Sequence, residues 1–269
     1  MSGPSRCRVA GLSVLPGTLV RVRTLTDLLV PSRCAGCGRD GPVLCGACEA
    51  LLGAPLRVRL ARVPPPVFAL GRYNGPVRAA LIGYKERGRR ELARPLGRAL
   101  AAGVHWLGGA PELGPAAPDG LVWLVPVPSR RAAARRRGGD HVRRIADAAA
   151  AALAAAGVPA AVAPALRLAS GTRDSVGLDA AARSANLAGR IRIRSGGLPP
   201  PATPVVLVDD VATTGATAAG CTAALSTAGI SVRAVLVVAS AASLRHSSDL
   251  RDHSVTARDN VRTVERRST

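Results

Sequence analysis

The residues best able to do chemistry lie in one string, VVLVDDVATTGAT, residues 205–217. Its adjacent carboxylates, Asp209 and Asp210, can hold a diol or a divalent cation. The hydroxyls of Thr213, Thr214 and Thr217 surround Gly215 and lead into Ala218–Leu225, which reads as a helix. Backbone N–H groups at a helix start, with hydroxyls beside them, suit a phosphate. Carboxylates repel a phosphate unless the ligand also offers vicinal hydroxyls or brings a cation, and a ribose 5-phosphate has that shape. No Gly-Lys-Ser/Thr follows the glycine, so a P-loop is not supported. The plainer alternative is a buried strand that ends in Asp-Asp and caps a helix.

A second cluster is Cys34-x2-Cys37-x7-Cys45-x2-Cys48. Two CxxC pairs each pinch a metal from a tight turn, and four thiolates complete a tetrahedral shell. Gly36, Gly38 and Gly46 ease the crowded knuckles. Zn²⁺ is the default ion, and a single iron would accept the same four sulfurs. A closed four-cysteine shell keeps no open position, so a structural role is expected. Cys221 falls in the helix after the threonine-rich turn and reads as a small core residue.

These residues need a scaffold, and the pattern supplies an α/β one. Val205–Val208 is an apolar run suited to a strand buried on both faces, with the aspartates where that strand ends, the place open α/β sheets bind ligands. Further strands are expected at Phe68–Arg72, Leu121–Val127, Val162–Leu168 and Val232–Ala239, the last closing the sheet. Helices are expected at Val77–Tyr84, Leu92–Gly103, His141–Ala156 and Leu178–Leu187. Strands alternating with helices imply a mainly parallel sheet flanked by helices. The organisation reads as a loose arm over 1–23, the cysteine module over 24–55, the α/β domain over 64–242 and a disordered tail over 243–269.

Composition bounds the partners. Of 269 residues 48% are hydrophobic but only 2% aromatic, so Ala, Val and Leu must build the core. The net charge of +20 invites anionic ligands, nucleic acid included. Lys85 is the only lysine and glutamine is absent, so part of the arginine excess reads as codon bias. Scarce aromatics argue against a base-stacking platform. Val9–Leu15 is short, broken by Gly11 and Ser13, and unlike a signal sequence. Ala148–Ala156 is far too short to cross a membrane. A soluble protein in a reducing, cytoplasmic setting, with no membrane insertion, is expected.

The 205–217 string resembles the phosphoribosyl-pyrophosphate (PRPP) signature of type I phosphoribosyltransferases. Other ordered pieces resemble one branch, the ComF family of competence-related proteins: the four-cysteine module, YNGPVR at 73–78, YKERG at 84–88, VPVP at 125–128 and ARSANL at 182–187. The resemblance covers about residues 25–240. It implies a type I phosphoribosyltransferase-like fold with an amino-terminal zinc module, and transfer of ribose 5-phosphate from PRPP with Mg²⁺ to a nitrogen base. It implies a catalytic pair, Asp209 and Asp210, on the ribose hydroxyls. Val211, Ala212, Thr213, Thr214, Gly215, Ala216 and Thr217 would hold PRPP. Lys85, Pro128, Ser129, Arg130, Arg131 and Arg137 would form the pyrophosphate loop and lid. The competing implication is a non-catalytic accessory of DNA uptake that meets single-stranded DNA and competence or recombination proteins. Where the family has Arg-Gly-Phe-Asn this chain has Arg137-Gly-Gly-Asp140, a departure on the acceptor or partner side of the site. His141 is read as a helix-start residue with no role.

Overall fold

The computed structural model describes residues 32–60, 63–108, 120–129, 139–169 and 189–245. In chain order these form α1 (Gly46–Glu49), β1 (Leu56–Val58), β2 (Val67–Arg72), α2 (Gly75–Glu86) and α3 (Ala93–Gly108). There follow β3 (Val122–Pro126), α4 (His141–Ala155), β4 (Ala160–Val162), β5 (Leu166–Leu168) and β6 (Ile191–Ile193). The chain then makes β7 (Pro204–Ala212), α5 (Ala216–Thr227), β8 (Ser231–Ser240) and β9 (Leu244–Arg245).

Seven strands form one sheet in the order β4-β3-β7-β8-β2-β1-β9. From β4 to β2 every neighbour is parallel, whereas β1 runs antiparallel to β2 and β9 antiparallel to β1. β5 and β6 make a separate antiparallel pair. Parallel strands covered on both faces read as unbroken apolar runs. Val205–Val208 and Ala234–Ala239 are such runs, with every residue buried.

Side chains alternate along a strand, so β7 feeds two cores. Val206 and Val208 join Leu124 and Leu236 beneath Leu81, Leu100 and Ile145 of α2, α3 and α4. Val205 and Leu207 join Val235 on the other face, beneath Leu225 of α5 and the β5–β6 pair. Helices α3 and α4 touch at Gly97, where a Cβ would stand 2.5 Å from the Cβ of Ala148. Small side chains replace the missing aromatics by bringing backbones together, and that seats α4 against the sheet.

Several expectations are corrected. The signature strand does not end at the aspartates but runs two residues further, because pairing with β8 continues through Val211↔Ala239 and Ala212↔Ser240. β8 does not close the sheet, since β7 and β2 flank it. The single strand expected over Val162–Leu168 is two, β4 and β5, in different sheets. Pro164 has no N–H to give a ladder, and Ala165 N–H instead turns back to the Ala163 carbonyl at 2.8 Å. Leu244 and Arg245, placed in the tail, pair with β1. The helix expected at Leu178–Leu187 lies outside the described residues, as do the 1–23 arm and residues beyond 245.

Candidate functional site

Alternation along β7 sends the two aspartates to opposite faces. Asp210 follows Val206 and Val208 toward α2 and α4 and is 4% exposed. Lys85, in the last turn of α2, brings Nζ to 2.8 Å from Asp210 Oδ1. His141, the first residue of α4, sets Nε2 against Oδ2 of the same carboxylate. Both oxygens of Asp210 therefore face protein nitrogens. Burial alone would raise the Asp210 pKa, but Lys85 and His141 together hold it below the usual carboxylate range. Burial alone would lower Lys85, and the Asp210 charge overrides it so that the ammonium is raised above its ordinary value.

The network extends to the loop after β3. The Ser129 hydroxyl lies 3.2 Å from His141 Nδ1 and 3.0 Å from Asp140 Oδ1. Asp140 caps α4 by accepting from Val142 and Arg143 N–H, and also from Ser129 N–H at 3.3 Å. Tyr84, beside Lys85, donates its hydroxyl to the His141 carbonyl at 2.7 Å, and burial pushes its phenol up to about 12.

Asp209 lies on the other face. It lines a cleft with Leu60, Ala212, Thr213, Gly215 and Thr217, where β7 passes into α5. Gly215 has φ +79°, a left-handed conformation that glycine takes without strain. A Cβ there would also lie 2.7 Å from Val63 Cγ2 and 2.8 Å from Leu60 Cδ1. Gly215 is the N-cap of α5, so the first amides of that helix follow directly on this turn. Thr214 Oγ1 accepts from Ala216 N–H at 3.4 Å. Burial, then the charge of Asp210, push the Asp209 carboxyl well above the ordinary range, with Lys85 offsetting part. A carboxyl with that proton affinity gains from a cation, a diol or any other donor brought into the cleft.

Of the expected site residues, the structure brings Asp209, Val211, Ala212, Thr213, Gly215 and Thr217 to one cleft. It places Lys85 on Asp210, and Ser129 on Asp140 and His141. Pro128 sits in the segment between β3 and Ser129, while Arg130, Arg131 and Arg137 lie outside the described residues. His141 and Asp140 were not anticipated as site residues. An Asp before an apolar-periodic run is a cap signal, so Asp140 was within reach of sequence reasoning. Nothing local marks His141, whose partner lies 69 residues away.

The four cysteines converge, with all four Sγ atoms within 4.8 Å of one another. Zn–S bonds of about 2.3 Å make a tetrahedron with edges of about 3.8 Å, and Cys37 Sγ stands 3.7 Å from Cys45 Sγ. A Cβ on Gly36 would lie 2.8 Å from Cys48 Sγ, so only glycine lets the knuckle close. Cys45 N–H donates to Cys34 Sγ at 3.3 Å. Burial would raise the Cys34 thiol, but backbone donors at Cys37, Cys45 and Gly36 lower it to about 6. The donor set fits a metal ion such as zinc. Cys34, Leu44 and Cys48 belong to the same core as α2, α3 and α4. Among the described residues, no helix is long and apolar enough to cross a membrane. No protein-family model matches the chain, and no curated protein matches it.

The lowered Asp210 pKa makes its share of stability full above the unfolded value of about 3.9, and lost as pH falls through the folded value. Asp209 has the opposite sign, because a raised folded pKa means that its charge costs stability at neutral pH. In denaturant melts at pH 7, Asp209→Asn should raise the midpoint. Asp210→Asn should lower stability by about 3 kcal/mol, the low end for breaking a buried pair, and that deficit should shrink in acid. A midpoint lowered by Asp209→Asn would contradict the electrostatic assignment. For the cysteines, elemental analysis should find one metal per chain, and a strong chelator should lower the melting temperature of the whole domain because the knuckles share its core.

Proposed function

We propose that this chain is a phosphoribosyltransferase-like protein of the ComF type that binds PRPP with Mg²⁺ and carries Zn²⁺ in its four-cysteine centre. The observation that carries this reading is the shared cleft of Asp209, Thr213, Gly215 and Thr217. These four line it together at the carboxyl end of parallel strands, where the left-handed turn at Gly215 leads into α5. A ribose 5-phosphate needs that set of partners in that order, with the diol at Asp209 and the phosphate at the start of α5. The sequence resemblance, carried by the same string, points to the same ligand.

In the proposed reaction a nitrogen base forms a bond to the anomeric carbon as the C–O bond to the diphosphate breaks. Pyrophosphate leaves with the electron pair, and the base loses a proton. Positive charge grows at the anomeric carbon, where Asp209 favours it electrostatically. Mg²⁺ supplies neutralisation of the diphosphate. The loop at Pro128 and Ser129 is the part of the described chain that starts the pyrophosphate side. Arg130, Arg131 and Arg137 continue it in the sequence.

A second reading, an accessory that binds single-stranded DNA, is favoured by one observation. On the β5–β6 pair, Leu166, Leu168 and Ile191 are buried while Arg167 and Arg192 stand exposed and directly opposite each other. Arg194 continues that face, and no carboxylate occurs within either strand. Like charges placed opposite destabilise a sheet, and a polyanion laid across them would relieve the repulsion.

Titration calorimetry tests the first reading. PRPP with Mg²⁺ should bind saturably, and Asp209→Asn should weaken it roughly ten- to a hundredfold, the worth of a hydrogen bond to a charged group. Absence of heat from folded, metal-loaded wild type would end the reading. Pyrophosphate release on adding individual nucleobases would then identify an acceptor. For the second reading, fluorescence anisotropy with single-stranded DNA should show a salt slope that falls by roughly 2 when Arg167, Arg192 and Arg194 become Ala. An unchanged slope would remove that face from consideration.

A further inference from the structure

We infer that Leu60 and Val63 are a gate on the cleft that Asp209 lines: they close it in the ligand-free protein and withdraw into a neighbouring groove when a ligand enters. The ligand's identity rests on the proposed function, but the gate rests on the size of the cleft and on which of its walls can move.

The cleft lined by Asp209, Thr213, Gly215 and Thr217 encloses about 30 Å³. That is room for a water molecule, whereas sites for small molecules start at about 300 Å³. A ribose 5-phosphate does not fit that space, so a wall must give. Most walls are fixed. Val67, Val235, Val237, Asp209 and Val211 belong to β2, β8 and β7, hydrogen-bonded neighbours at the middle of the sheet. Thr217 and Ala218 belong to α5, which Cys221 and Leu225 anchor in the core with no exposed surface. The turn at Thr213 and Gly215 carries the proposed phosphate partners, so its retreat would remove what the ligand needs. Leu60 is the exception. β1 ends at Val58, which leaves Leu60 beyond the last ladder contact and only half-buried.

Leu60 and Val63 press on the cleft at its tightest point. The space that a Cβ on Gly215 would need is taken by Val63 Cγ2 at 2.7 Å and Leu60 Cδ1 at 2.8 Å. Both apolar side chains therefore stand against the turn from which α5 starts. On their other side lies a groove of about 720 Å³, bounded by Arg57, Arg59 and Pro64–Pro66 as well as by Leu60 and Val63 themselves. Leu60 faces both spaces, so it is a partition between them, and the groove gives it somewhere to go. The movement has a firm mount. Three consecutive prolines fix φ near −65°, Pro65 is buried, and the Pro66 carbonyl accepts from Val235 N–H at 2.9 Å. A ligand that fits only the open form draws the protein to it, and its apparent affinity is reduced by the fraction that is open.

Leu60→Ala/Val63→Ala in full-length, metal-loaded protein tests the gate, because it removes the closing contacts and keeps every expected phosphoribosyl partner. Hydrogen exchange without ligand reads it directly. Amides over 213–217 should exchange roughly tenfold faster than in wild type, while those over 234–239 in β8 keep their protection. In calorimetry the variant should bind PRPP with Mg²⁺ roughly tenfold more tightly, since the open fraction no longer limits affinity. Unchanged exchange over 213–217 would overturn the gate. So would weaker PRPP binding, which would make the two side chains ligand contacts. If the double variant loses protection in β8 as well, Val63→Ala alone repeats the comparison with a smaller loss of packing. Absence of PRPP binding in wild type and variant alike would end the proposed function, and the exchange data would still decide the gate.

Discussion

A carboxylate buried in the middle of a sheet must have its counter-charges delivered by the elements that cover it. Asp210 is that carboxylate, and the arrangement on its face of the sheet follows from it. α2 has to end where Lys85 can reach Oδ1, and α4 has to begin where His141 can reach Oδ2. Those two requirements fix the ends of two helices that are not neighbours in sequence. Desolvation would make such a group intolerable if either partner were missing, so the charge network acts on the fold as a registration mark. Its value lies less in net stability than in the single arrangement it permits.

The four-cysteine centre belongs to this same problem. α2 can hold Lys85 in place only if its other contacts are firm, and the knuckles supply them. The Cys34 and Cys48 side chains lie in the core with Leu81 and Tyr84. Gly36 packs toward Pro76, at the start of α2, and Gly83 leaves room for Ala35. Arg89, just past the end of α2, donates to the Arg33 carbonyl at 2.8 Å. A metal that closes the knuckles therefore stiffens the helix that charges the site. A core poor in aromatics has few other means of doing so, since Phe68 and Tyr84 are the only buried Phe, Tyr or Trp side chains among the described residues. Close approach at small residues, as at Gly97 and Ala148, serves the far side of the same layer.

Much of this was legible in the residues. The β7–α5 unit could be read because a strand buried on both faces is an unbroken apolar run and because glycine before a helix announces a turn. The metal cluster could be read because ligand spacing is local. Strand order could not, since Val232–Ala239 looks the same at an edge as at the centre, where the structure places it. β1 and β9 were missed because three and two residues, with arginine among them, carry no period to detect. The facing of Asp209 and Asp210 was available from alternation, once β7 is known to continue to Ala212. The pairing of Asp210 with His141 was not, because the fold brings them together from distant positions.

The end of β7 is where rules of stability and rules of function part. A sequence chosen only for a stable sheet would put valine or threonine at 209, on the model of Val205 and Leu207 below it on the same face. Asp209 stands there instead, half-buried beside a second carboxylate, with its proton affinity raised by both. Asp210 is compensated and can be explained by folding alone. Among the described residues Asp209 is not compensated by any comparable pair of cations, and it opens on the cleft beside a left-handed glycine and two threonines. Local inconsistency of this kind concentrates at functional sites, because a protein keeps a destabilising group only where something other than stability selects it. The uncompensated carboxylate is thus the firmer pointer to ligand chemistry, and its compensated neighbour is the reason it can be held there.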